Sequence, residues 1–257
     1  MGVISSIVKM ATRMSSLENY DSYLFIGPHP DDIELGAGAT AAKLVKAGKK
    51  VTFLICLDGR FGDGFLEGKK EEEVVHIRRK EAIHSAMLLG VNDVRFLNLC
   101  DGGFYKKKDL SKGIASVIGD VQPDVVFAPD FWVSSECHLD HVNVGRIASY
   151  VVNIAPYKGI MKRLGARPYN VQALAMYLTA NPNHYVDTKG FFGKQMRAIF
   201  DCHLSQFPHG SNEEKDLKTY LYLRSKMYGV RKLSTDCEAF RVLSRKHMHC
   251  LPEASKF

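Results

Sequence analysis

No run in this 257-residue chain approaches the roughly 18 apolar residues that a membrane-spanning helix needs, so no spanning segment is predicted. The six cysteines (Cys56, Cys100, Cys137, Cys202, Cys237 and Cys250) include no C-x-x-C pair. That scatter fits reduced thiols in a cytoplasmic chain better than a disulfide framework. There is no internal repeat, no low-complexity tract and no linker rich in Gly, Ser or Pro. The net charge is +7, but the basic residues run from Lys9 to Lys256 without clustering around aromatic platforms. This excludes a nucleic-acid footprint, although an anionic substrate stays open. The one lysine triplet, Lys106-Lys107-Lys108, reads as a solvated loop or a helix start.

The start of the chain also lacks the leading charge and long apolar core of a signal peptide. Val3, Ile7, Met10, Met14 and Leu17 fall at helical spacing instead. They predict an amphipathic extension over 1–21, packed on the domain or on a neighbouring subunit. Met1–Ser6 fits a myristoylation pattern formally, but that pattern is too loose to carry weight. Residues 22–257 are expected to form a single domain, long enough for a sizeable core.

Strand and helix patterns alternate through the first half. Strands are predicted at 22–27, 51–57, 94–99 and 124–128. Helices are predicted at 37–47 and 69–89, stopped by Gly48 and Gly90, and at 110–120 before Pro123. The second half reads less regularly, with helices at 141–154, 191–205 and 215–228 and a strand at 171–178. Alternation of this kind predicts an α/β fold, Rossmann-like, with helices on both faces of a mostly parallel sheet. Ligands then bind outside the carboxyl ends of the strands.

Two polar clusters sit at such ends. Pro28-His29-Pro30-Asp31-Asp32 follows the apolar run Tyr23–Gly27, and His138-Leu139-Asp140-His141 follows Asp124–Ala128. Taken singly, each aspartate reads as a turn or helix cap and each histidine as a hydrogen-bonded core residue. Taken together at two strand ends of one sheet, they point to metal-assisted hydrolysis. Hydrolytic zinc sites use three protein ligands and keep one position open. His29, Asp32 and His141 meet that count. Asp31 is placed to take a proton from water, and His138 to steady an oxyanion or protonate a leaving amine. Asp140 is a candidate to hold a histidine's tautomer. Cys137 abuts His138 in sequence but reads as packing or pocket lining rather than as a nucleophile.

A rival pattern is Gly36-Ala37-Gly38-Ala39-Thr40-Ala41, which matches G-x-G-x-x-A with Asp58 about 20 residues on. In a dinucleotide site the glycines turn straight off the first strand. Here Pro28–Leu35 intervenes, and the glycines are expected to let the first helix approach the sheet.

The clusters resemble those of the PIG-L/LmbE-like zinc de-N-acetylases, which remove acetyl from N-acetylglucosamine-type groups. The resemblance runs from about Tyr23 to Val242. It includes Arg78-Arg79-Lys80-Glu81, Asn98–Gly102, Lys194 with Ala198 and His203–Gln206, and Glu238-Ala239-Phe240. Length and motif order look nearest to bacterial deacetylases of thiol synthesis, bacillithiol especially. The resemblance implies His29, Asp32 and His141 as zinc ligands, with iron(II) or another divalent ion also suited to that set. It implies Asp31 as general base, His138 as oxyanion or leaving-group partner, and Asp140 as its supporting acid. Arg78 and Asp101 match positions near the sugar, and homo-oligomers are expected by family analogy. Cys137, Leu139 and Arg60 depart from the usual residues and leave the aglycone open. Two rival readings are a hydrolase of another N-acyl substrate, such as a glycopeptide or antibiotic, and a non-catalytic sugar- or metal-binding relative.

Overall fold

Tyr23 and Phe25 point to one face of a strand and Leu24 and Ile26 to the other, and all four are fully buried. A strand apolar on both sides must be covered on both sides. In the computed structural model, which describes residues 15–249 and 251–256, this strand is β1 (Ser22–Gly27). The others are β2 (Lys50–Leu57), β3 (Asp93–Leu99), β4 (Val125–Pro129), β5 (Ala173–Tyr177), β6 (His184–Asp187) and β7 (Cys237–Ser244). They form a seven-stranded sheet in the order β3-β2-β1-β4-β5-β7-β6. β1 to β5 run parallel, while β7 pairs antiparallel with both β5 and β6.

Helices α1 (Asp32–Lys46), α2 (Glu71–Leu89) and α6 (Phe192–Phe200) cover the face of Tyr23 and Phe25. Helices α3 (Lys107–Val121), α4 (Leu139–Ile154) and α5 (Lys158–Leu164) cover the face of Leu24 and Ile26. Helix α7 (Asn212–Gly229) packs through Leu221 on Ile199 and Phe200 of α6. The sheet centre is aromatic: Phe25 stacks on Phe127 at 4.2 Å, and Phe240 meets Phe127 edge-on at 5.1 Å. Each such buried ring contributes about 1.5–3 kcal/mol through burial alone. The fold is the expected three-layer α/β/α arrangement. The chain leaves β1 toward β2 on one side, while β4 lies on the other. Their carboxyl ends therefore flank the point where strand order reverses, the usual place for a ligand crevice.

Helix α1 differs from expectation. It starts at Asp32, not at residue 37: a first helical turn precedes a break at Ala37 (φ −152°, ψ 16°), beyond which the helix resumes. The break frees backbone donors, and the Glu238 carboxylate from β7 takes them: Ala39 N–H at 3.2 Å and Thr40 N–H at 2.7 Å. Gln195 donates to the same carboxylate at 2.8 Å. Burial pushes Glu238 up to about 7 against these bonds. Gly36 is required here, since a Cβ would stand 2.2 Å from the Tyr177 ring. The glycines of the rival G-x-G pattern thus serve helix packing.

The helix expected over 191–205 stops at Phe200, and α5, β6 and β7 were not predicted. Val3, Ile7, Met10 and Met14 of the expected extension, and the myristoylation pattern, lie outside the described residues. Leu17 lies within them, buried in the core, with its carbonyl accepting from Tyr23 Oη at 2.8 Å. Among the described residues no helix is long and apolar enough to cross a membrane.

Candidate metal-dependent active site

The turn after β1 places His29, Asp31 and Asp32 within three residues of each other on buried backbone. Asp31 stands at the N-cap position of α1 with φ 125° and ψ −29°, a positive-φ conformation costly for a residue with a Cβ, and its side chain makes no capping bond. Asp32 begins the helix and accepts from His29 N–H at 2.8 Å. The loop after β4 brings the second cluster over it. His29 Nδ1 stands 3.2 Å from Asp32 Oδ2, and His141 Nε2 stands 3.3 Å from Asp32 Oδ1. Ligand atoms about 2.0–2.1 Å from a tetrahedral zinc are about 3.3 Å apart, so the spacing suits a shared cation.

Both histidines are backed by acids. His29 Nε2 meets Asp140 Oδ2 at 3.1 Å, and His141 Nδ1 meets Glu136 Oε2 at 3.2 Å. A carboxylate behind each ring fixes its orientation and tautomer, as metal-ligating histidines commonly require. The charges agree. Burial opposes protonation of His29, yet Asp140 and Asp32 raise it to about 10. His141 goes up to about 9 against burial, because of Asp32. Asp32 is held well below the usual carboxylate range, against burial, by the two histidines. The cluster collects positive charge, which a divalent cation can supply in place of protons. His29, Asp32 and His141 could therefore hold a metal ion.

Asp31 faces the same space. Burial pushes its carboxyl up to about 6, opposed by the Arg78 guanidinium. Arg78 donates to Asp31 Oδ2 at 3.1 Å, Pro30 O at 3.0 Å and Gly59 O at 3.0 Å. It was expected beside the sugar; it is 4% exposed and tied under the Asp31 turn. A Cβ on Gly59 or Gly62 would come within 2.6 Å or 2.2 Å of its Nη1, so the loop after β2 is shaped to admit it.

His138 is the N-cap of α4, and its Nδ1 accepts from Asp140 N–H at 3.4 Å. A neutral ring accepting at Nδ1 carries its proton on Nε2. Burial and the nearby His29 and His141 lower its pKa. Its ring lies 4.9 Å from that of His29 and 4.8 Å from that of His141. The Asp140 carboxylate, expected to support His138, lies near it, within 4.8 Å of a ring nitrogen, but has its hydrogen bonds elsewhere. It pairs with His29 and accepts from Gly102 N–H at 2.7 Å and Gly103 N–H at 2.9 Å, because α4 aims that side chain at the loop after β3. In the same loop the buried Asp101 has one oxygen on Phe61 N–H at 3.4 Å and the other, Oδ1, unpartnered. Phe61 and Phe104 cross edge-on at 5.7 Å and are exposed, as is Leu139.

Sequence reasoning gave no role to Glu136, whose link to His141 depends on the loop's path rather than on a spacing rule. It also missed what lies behind Asp31. Glu34 accepts from Ser85 Oγ and meets His203 Nε2 at 3.4 Å, Ser205 Oγ donates to Glu81 at 2.5 Å, and Gln206 donates to Gly62 O at 2.7 Å. The H-x-S-Q segment was visible, but its purpose of holding α2 and the Gly62 loop was not.

Residues 24–152 match the family described as PIG-L, GlcNAc-PI de-N-acetylase. Diacetylchitobiose deacetylase of Thermococcus kodakarensis is 32% identical to this chain, over 90% of it and 86% of the relative. The chain belongs to the PIG-L family. It is thereby an amide hydrolase of the N-acetylglucosaminyl deacetylase type. This PIG-L protein also superposes on N,N'-diacetylchitobiose deacetylase from Pyrococcus horikoshii with a TM-score of 0.89 at 29% identity, covering 100% of this chain and 98% of that one. A probable N-acetyl-α-D-glucosaminyl L-malate deacetylase 2 of Bacillus cereus is 30% identical over 52% of this chain and 61% of its own. The L-malate deacetylase thus matches about half of this chain, whereas the diacetylchitobiose deacetylases match nearly all of it.

Proposed function

We propose that this PIG-L protein is a zinc-dependent, cytoplasmic deacetylase acting on a short N-acetylglucosamine oligosaccharide or glycoside, with diacetylchitobiose as the first candidate. The observation that carries the chemistry is the meeting of His29, Asp32 and His141 beside an Asp31 carboxylate with a single oxygen engaged. Full-length similarity to diacetylchitobiose deacetylases supports the substrate class. The free thiols of Cys56, Cys100, Cys137, Cys202 and Cys237 support a reducing compartment.

In this reading His29, Asp32 and His141 hold the zinc. Bound zinc supplies Lewis acidity toward the acetamide carbonyl and toward water. Asp31 Oδ2 stays on Arg78, so Oδ1 takes the proton from the attacking water. His138 offers Nε2–H to the carbonyl oxygen as negative charge develops there. The C–N bond breaks as the proton held by Asp31 or His138 passes to the departing amine, giving acetate and a free amino sugar. Asp101 Oδ1, an unpartnered acceptor beside the site, is suited to a sugar hydroxyl.

The test is acetate release by zinc-loaded protein on diacetylchitobiose, N-acetylglucosamine and its malate and inositol glycosides, with metal-stripped and iron(II)-loaded samples alongside. Turnover on one member, absent from the stripped sample, supports the reading and fixes the branch. Silence across the panel with zinc bound overturns the sugar assignment and directs the search to other N-acyl substrates.

A further inference from the structure

Arg78 and Arg241 are buried to the same 4% exposure, and only one of them has an acid. Arg78 pairs with Asp31 and donates to two backbone carbonyls. Arg241, on β7, makes no ion pair among the described residues. Its Nη2 donates to Ser255 O at 3.0 Å, and its Nε is buried without a hydrogen-bond partner. The Trp132 ring lies 4.6 Å from the guanidinium carbon. A guanidinium stays charged in a protein, and burying it without an opposite charge is strongly unfavourable. One carbonyl and one ring face offset only part of that.

The cation also borders open space. A cavity of about 340 Å³ lies between Arg241, Trp132, Leu243 and the C-terminal residues Met248, Leu251 and Ala254. No aspartate or glutamate lines it, and its walls are mainly apolar. None of His29, Asp32, His138 and His141 lines it either, so it is separate from the candidate metal cluster. A space of this size takes a small organic molecule. Its walls ask for one negative charge, flat enough to meet a guanidinium edge, on a body that is otherwise apolar. A carboxylate matches that edge with two parallel hydrogen bonds. Phosphate carries more charge and more acceptors than one guanidinium among apolar walls can satisfy.

We propose that this cavity binds a small organic acid with a short branched or cyclic hydrocarbon body. The carboxylate sits on the Nε edge of Arg241, and the body packs on Trp132, Leu243 and Leu251. Trp132 N–H is held by Asp130 at 3.0 Å, at the start of the loop that leads to Glu136 and His138. An acid seated here therefore bears on the loop that backs His141, and the cavity is an effector site rather than a second active site.

Trp132 is the only tryptophan of the chain, so its emission reports on a wall of this cavity. Isovalerate is titrated alongside its uncharged amide and inorganic phosphate, with zinc-loaded and metal-stripped protein. The acid should shift the emission in a saturable way, half-complete at about 1 mM or below, equally with and without zinc. The amide and phosphate should each bind about tenfold more weakly or worse, since neither offers a lone carboxylate to the guanidinium. Arg241→Met should abolish the response, and the acid should raise the melting temperature of the wild type but not of that variant. Wild-type protein whose emission and melting temperature the acid leaves unmoved overturns the proposal, as does an amide or phosphate that binds equally well. A response lost on removing zinc assigns the acid to the metal cluster and also overturns it. If Arg241→Met does not fold, the wild-type comparison of acid with amide decides alone.

Discussion

The two walls of the site are built differently. The first, His29–Asp32, is backed by the sheet core: its three polar side chains are nearly inaccessible, and its backbone is locked by Arg78 and by Leu57 N–H to Pro28 O at 2.9 Å. The second, Glu136–His141, is a loop and a helix start, with Cys137, His138 and Leu139 exposed. Only Asp140 of that wall is wholly buried, and it reaches across to hold His29. The rigid wall thus supplies two of the three candidate ligands and the candidate base, groups that catalysis needs fixed to a few tenths of an ångström. In the proposed reading the open wall supplies His138, the group that would meet the substrate.

The largest effect should come from taking one ligand out of either wall. His29→Ala and His141→Ala should both lose the metal to background by elemental analysis, and with it all turnover. Retention of stoichiometric metal by either would remove that residue from the ligand set. Next is Asp31→Asn, which should reduce kcat by about 10²–10⁴-fold while leaving metal content unchanged. Equal loss of metal would make Asp31 a ligand rather than the base.

The supporting acids test the asymmetry itself. Asp140→Asn and Glu136→Gln should each weaken metal binding by about 10–100-fold in a competition titration. The buried Asp140 should be the more costly, because it also holds Gly102 and Gly103. Equal losses would mean that both walls are equally fixed. The smallest effect is a pH dependence behind the first wall. Glu238 titrates at about 7 when folded against an ordinary 4.5, so the folded state takes up a proton. Its charge therefore costs nothing below 4.5, and stability falls as pH rises from there through 7, then levels off. Glu238→Gln should flatten that slope in melting temperature by a few degrees.

The central fold was readable because its signals are local. Four apolar strands separated by helices with stops at Gly48, Gly90 and Pro123 placed β1 to β4 within a residue of their observed ends. The two polar clusters were readable because each is a compact run of histidine and aspartate on the carboxyl side of an apolar strand, the first directly after β1 and the second beyond a loop over 130–137 after β4. β7 was not, since it carries Glu238 and Arg241 buried among apolar residues, and the partners that make them tolerable come from α1 and the far C-terminal segment. β6 is four residues of half-buried polar sequence with no alternation to detect. The start of α1 was hidden by Gly36 and Gly38, which lower helix propensity in a segment that Glu238 and Tyr177 make helical by tertiary contact. Arg78 was assigned to the sugar by the family resemblance alone, which carries no information on what the side chain touches. Its three carbonyl and carboxylate partners come from segments 19 to 48 residues away, which no spacing rule connects.

The backbone at Asp31 bears on what evolution can do with this protein. Glycine adopts φ near 125° freely, whereas a residue with a Cβ gives up about 1–3 kcal/mol there. Asp31→Gly would relieve that backbone but strand the buried Arg78 guanidinium, so in folding the two effects oppose each other. In the proposed reading, a lineage relieved of its chemistry is free to trade the aspartate away only together with the arginine that it pairs.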